Sequence, residues 1–161
     1  FRTPPGKIEF FSSIQAKHGQ PGLPVYVEPP KPTKDYPLKL INGTRRPYIT
    51  HSKTRGDQPY LLELEPESVI NMHPKDAQDR GLKEGDRVWM ISPYAATKVR
   101  AGVRVAILCQ PGMVDAQYGW RGDQETQVMI PRKNWDPISG YPCCNDVCIE
   151  VVKADKEKKS A

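Results

Sequence analysis

Residues 73–114, HPKDAQDRGLKEGDRVWMISPYAATKVRAGVRVAILCQPGMV, decide the reading of the fold. Pro74 suits the first turn of a helix, where its missing N–H costs nothing, and Gly81 suits the left-handed position that ends one. A helix of under two turns is therefore expected to stop at Gly81. Lys83-Glu84-Gly85-Asp86 follows with turn chemistry, and Arg87–Ser92, carrying Val88 and Met90, suits a strand. Val99, Ala101, Val103 and Val105 then alternate with Lys98, Arg100, Gly102 and Arg104, the period-2 pattern of a strand with an apolar inner and a basic outer face. Pro111-Gly112-Met113-Val114 reads as a second glycine turn.

Working outward, 161 residues can build one domain with a full core and little more. Seventeen prolines and twelve glycines point to short strands and many turns rather than a helical bundle. No apolar run approaches the length needed to cross a bilayer, so no direct membrane contact is expected. The first residues, FRTPPGKIEFFSS, show neither a secretory nor a twin-arginine signal and lack an initiator Met, as expected of a segment from a longer chain. The compartment, cytoplasmic or periplasmic, then depends on that longer chain. Net charge is +5 and the isoelectric point about 9.0, a balance compatible with nucleic acid, an anionic surface or a small polyanion such as a dinucleotide.

Cysteines stand at 109, 143, 144 and 148, in no standard zinc spacing and without neighbouring histidines, so they read as small core hydrophobes. Vicinal Cys143 and Cys144 would bridge only with strain, and a disulfide from Cys109 to one of the three is left open.

Along the chain, Gly6–Phe11 reads as a short strand and Ser12–Lys17 as an irregular turn or helical piece. A proline-rich connector, 21–37, favours an extended path. The first barrel strand is expected over Tyr36–Asn42, running into a loop, 43–55, dense in hydroxyl, guanidinium and imidazole groups of the kind that bind phosphate and purine edges. Val69–Met72 reads as a strand, Gln127–Ile130 as a brief one, Asp136–Pro142 as a turn and Val147–Val151 as a terminal strand. Six or so strands with unequal loops indicate a barrel. The tail from Lys153 is too polar to pack.

Several short motifs occur in a fixed order: Leu40-Ile41-Asn42-Gly43, His51-Ser52, Glu65-Pro66-Glu67, Gly85-Asp86, Ser92-Pro93, Pro111-Gly112-Met113-Val114, Gly119-Trp120 and Asp136-Pro137-Ile138-Ser139-Gly140. In this order the chain resembles the C-terminal molybdopterin-dinucleotide-binding domain of the dimethyl sulfoxide reductase family of molybdenum and tungsten oxidoreductases. The resemblance implies a mainly β fold, a double-psi β-barrel of the aspartate-decarboxylase type with a few short helices. It divides the chain into a lead-in and connector from a preceding domain (1–35), the barrel (36–152) and a flexible polar tail (153–161).

The implied ligand is a molybdenum or tungsten bis(molybdopterin guanine dinucleotide), a bis(pyranopterin) cofactor, bound by Gly43, Thr44, Arg45, His51, Ser52, Trp120, Gln127, Ser139 and Gly140. No catalytic residue and no metal ligand is implied within the segment; both come from preceding domains of the parent catalytic chain. An iron–sulfur cluster elsewhere in the parent and an iron–sulfur electron-transfer subunit are compatible partners. Two departures stand out: Gln127 and Val128 where many relatives carry an asparagine, and Tyr94-Ala95-Ala96 where they commonly turn through Gly. The alternatives are a free-standing double-psi barrel adaptor and a basic nucleic-acid-binding module. The latter is expected to interleave aromatics with its charges, which Lys98, Arg100 and Arg104 do not. A self-processing decarboxylase of this fold would need a Gly-Ser pair, which the sequence lacks.

Overall fold

Apolar side chains recur at every second position of six strands, and burying that face of each strand requires the sheet to close on itself. The computed structural model describes residues 1–44 (Thr44 by its backbone), 59–131, 136–142, 144 and 147–154. The strands are β1 (Leu38–Thr44), β2 (Val69–Met72), β3 (Arg87–Ile91), β4 (Val99–Val105), β5 (Met113–Gln117) and β6 (Val147–Lys153). They form a closed barrel in the order β1-β5-β2-β4-β3-β6, the double-psi β-barrel that the motif order implied. Two pairs are parallel, β1 with β5 and β2 with β4; the other four are antiparallel.

The core is the inner face of that alternation. Leu38 and Leu40, Ile70 and Met72, Val88 and Met90, Val99, Ala101 and Val103, Val114 and Ala116, and Val147, Ile149 and Val151 are all buried in one cluster. Ala77, Leu82 and Met129, from outside the strands, complete it.

The run at 73–114 folds as its residues indicate. Helix α3 (Pro74–Asp79) is capped by His73, whose Nδ1 accepts from the Lys75 N–H at 3.2 Å, and Gly81 follows it at φ +63°. Buried Asp76 accepts from the Gly112 N–H at 2.7 Å, tying the helix to the turn before β5. Arg80 Nε lies 3.0 Å from Glu150 Oε1, tying it to β6. Ser92 Oγ donates to the Met129 carbonyl at 3.1 Å and accepts from the Tyr94 N–H, so the Ser-Pro step is a buried anchor.

The structure differs from the sequence reading in five places. Gly6–Phe11 is not a strand: among the described residues it has no partner to complete a ladder, and the first element is a short helix, α1 (Ser13–Lys17). Gln127–Ile130 is not a strand either; Thr126–Met129 is a single 3-10 turn that drops Met129 into the core. The first barrel strand runs past Asn42 to Thr44, and Met113–Gln117, whose start reads as a turn, continues as β5. Pro59–Leu64, for which the sequence suggests no element, is a helix, α2.

The basic outer face of β4 is matched by carboxylates. Arg100 lies 2.7 Å from Asp123 and 3.3 Å from Glu67, Arg87 lies 3.2 Å from Glu67, and Arg104 lies 3.9 Å from Glu65.

Candidate functional site

Parallel pairing brings the C-terminal ends of β1 and β5 side by side, and the loops that leave both strands therefore start from one end of the barrel. The register pairs Asn42 with Ala116 and Thr44 with Gln117, skipping Gly43 as a bulge. Gly43 has φ +142°, a conformation that favours glycine, and among the described residues beyond its chain neighbours no atom lies within 4 Å of where its Cβ would stand. The backbone is thus open to approach at this point.

Beneath the bulge lies a buried polar network. Asn42 continues the inward series of Leu38 and Leu40, and its Nδ2 donates to the Thr126 carbonyl at 3.3 Å. Thr126 Oγ1 lies 2.9 Å from Asn42 Oδ1 and 3.2 Å from the Gln117 carbonyl, one hydroxyl donor shared between two acceptors. Trp120 Nε1 donates to Gln117 Oε1 at 3.2 Å. The other half of that amide, Gln117 Nε2, is a buried donor with no hydrogen-bond partner among the described residues. An unanswered buried donor costs about 1–3 kcal/mol, so it persists where another group repays it or where the fold compels it.

The structure thus gathers Gly43 and the Thr44 backbone on one side, and Trp120 and Gln127 on the other, around one barrel end. Trp120 is buried and spends its N–H inside the network, whereas Gln127 is exposed on the 3-10 turn. Arg45, His51 and Ser52 lie outside the described residues. Ser139 and Gly140 stand on a separate exposed turn whose hydrogen bonds are local. Asp136 Oδ1 accepts from the Ile138 and Ser139 N–H groups and the Ser139 hydroxyl, and Gly140 N–H closes on the Asp136 carbonyl.

The Ser139 N–H and hydroxyl, with the Ile138 N–H, hold the Asp136 carboxyl below its ordinary value of 3.8. A depressed carboxyl contributes order that is present above the unfolded value and lost as pH falls through the folded one. An NMR titration is therefore expected to find Asp136 ionising below 3.8, with Ser139→Ala moving it back up. A midpoint unmoved by Ser139→Ala would remove the Ser139 hydroxyl from that account.

Sequence reading missed Gln117 and Thr126. The available signal was weak: polar residues at the end of, or just after, an apolar strand, which more often mark its exit to solvent. Among the described residues no group of three or more His, Cys, Asp or Glu is placed to hold a metal ion. Cys109 is a half-buried thiol with its pKa raised by burial, and Cys148 is buried on β6; Cys143 lies outside the described residues.

Comparison with known proteins accords with this barrel. Residues 38–148 match the family model described as the molydopterin dinucleotide binding domain. The chain is 30% identical over 175 aligned positions to dopamine dehydroxylase of Eggerthella lenta, covering 96% of this chain and 17% of that protein. It is 31% identical over 173 positions to trimethylamine-N-oxide reductase of Haemophilus influenzae, covering 96% of this chain and 18% of that one. The solved structure of acetylene hydratase from Pelobacter acetylenicus superposes with a TM-score of 0.83 at 24% identity, over 94% of this chain and 24% of that one, and shares the fold. The chain spans less than a fifth of the length of those two curated relatives. It belongs to the molydopterin dinucleotide binding domain family, within the homologues of the dimethyl sulfoxide reductase family.

Proposed function

We propose that this chain is the C-terminal domain of a larger molybdopterin oxidoreductase and that it binds and orients a molybdenum or tungsten bis(pyranopterin guanine dinucleotide). In this reading residues 1–35 lead in from a preceding domain and 36–152 form the cofactor-binding barrel, whose last strand continues to Lys153. The observation that carries it is the barrel end at Gly43: among the described residues an open backbone approach and a buried donor at Gln117 with no partner, and in the sequence donor-rich loops leaving both strands.

Gly43 admits the ligand to the backbone. Thr44 and Arg45 then offer hydroxyl, amide and guanidinium donors to the pterin or its phosphates, and His51 with Ser52 makes the second contact region. Donors of this kind against a pyrophosphate form charge-assisted hydrogen bonds, about twice as strong as neutral ones. Gln127 supplies amide contacts from an exposed turn, Trp120 walls the site, and Ser139 with Gly140 closes over it from the late loop. When bound, the group supplies the metal-centred chemistry; this chain binds it, orients it and excludes water. The metal ligand, any iron–sulfur cluster and the substrate contacts belong to the preceding domains. An iron–sulfur electron-transfer subunit is the further partner, with no nucleic acid and no direct membrane contact.

Arg45→Ala and His51→Ala, each made in the full-length chain, are expected to lower both metal and pterin content of the purified enzyme. Unchanged content in both variants would sink the site assignment.

A further inference from the structure

The residues ahead of β1 carry a surface that the barrel does not use. Helix α1 is properly capped, with the Ser12 hydroxyl accepting from the Gln15 N–H at 3.2 Å, yet it buries none of its residues. The Ser12 N–H donates to the Gly22 carbonyl at 2.7 Å, and the Phe11 ring lies where a Cβ on Gly22 would stand. The segment therefore holds a defined shape. Around it stand Phe10 at 87% exposure and Tyr26 at 85%, with Ile14, Leu23, Val25 and Val27 also open to solvent. A free linker is polar and shapeless, whereas this is a shaped piece that exposes several large apolar side chains, as interaction surfaces do.

What covers it is indicated by how the segment is inherited. The family model for the barrel begins at residue 38 and leaves the segment out. The long relatives match 96% of this chain, which omits far fewer residues than precede β1, so the segment belongs to chains that extend well beyond the barrel. The acetylene hydratase chain, about four times the matched length, follows the fold over 94% of this one.

We propose that residues 8–27 form the surface by which this chain packs against the remaining bulk of its parent enzyme, an intramolecular interface rather than a tether. This rests on the reading of the chain as one domain of a larger protein. The test is hydrogen exchange on the full-length chain and on the 161-residue chain alone. Amides of 8–27 are expected to exchange on the order of 100-fold more slowly in the full-length protein, since local opening there must also break the interface. Phe10→Ser with Val25→Ser should abolish that protection without changing the melting temperature of the 161-residue chain.

Equal, fast exchange in both proteins would overturn the proposal. So would protection in the 161-residue chain accompanied by a dimer in sedimentation, which would assign the surface to a second copy. Pterin content is measured on the same full-length sample: protection without pterin counts against the cofactor reading and leaves the interface standing.

Discussion

Leu40→Ala is expected to destabilise the barrel by roughly 3 kcal/mol, within the ~2–5 kcal/mol range for truncating a fully buried leucine. Leu40 is wholly buried on β1 and sits opposite Val114 of β5 and Val147 of β6, so the lost methyl groups leave a gap lined by two neighbouring strands. β-Strands in a closed barrel cannot slide in to fill such a gap without breaking ladder bonds on both sides. Against a total stability of about 5–15 kcal/mol, that loss is a large fraction. At about 2–4 °C per kcal/mol for a chain of this size, the melting temperature should fall by roughly 10 °C. Ile107→Ala, at a side chain 82% exposed in the loop between β4 and β5, should change it little. Similar losses for the two variants, measured by thermal unfolding, would contradict the assignment of the core.

Gly43→Val in the full-length chain is expected to lower metal and pterin content several-fold. The cause has two parts. A non-glycine residue at φ +142° carries strain of order 1–3 kcal/mol, which the bulge relieves by shifting Thr44 against Gln117. The new side chain would also stand in the space now open beside the backbone, the approach assigned to the ligand. Gly112→Val separates the two parts. Gly112 has φ +84° and precedes β5, at the opposite end of the barrel from Gly43, so it adds strain without touching the site. The expected pattern is comparable loss of stability in both variants and loss of cofactor in Gly43→Val only. Full cofactor content in a folded Gly43→Val protein would place the ligand elsewhere.

Local signals were readable wherever one element determines its own conformation. Pro74 and Gly81 bound α3, Gly85 turns the chain, and alternation identifies β4 and the inner face of β6. Reading failed where a tertiary partner chooses among conformations. Thr126–Met129 is apolar enough for a strand, but Asn42 and Gln117 already hold Thr126, and the core takes Met129; a tight 3-10 turn satisfies both. Gly6–Phe11 has strand composition and no edge to join. The basic face of β4 reads as free charge only until Glu67 and Asp123, distant in sequence, arrive beside Arg100.

By itself, then, the sequence determined the class and the frame: a strand-rich, turn-rich barrel whose helix–turn–strand run and ordered short motifs place it with the dinucleotide-binding domains. Capping, turn chemistry and period-2 burial are properties of neighbouring residues, and they need no other part of the chain. Tertiary structure alone decided the strand order, the parallel pairing of β1 with β5, and hence which loops share one barrel end. Those depend on contacts between residues far apart in the chain, such as Asn42 with Thr126, 84 positions on, and Leu38 with Ile149 across the closing seam, and no local periodicity encodes which strand will lie beside which.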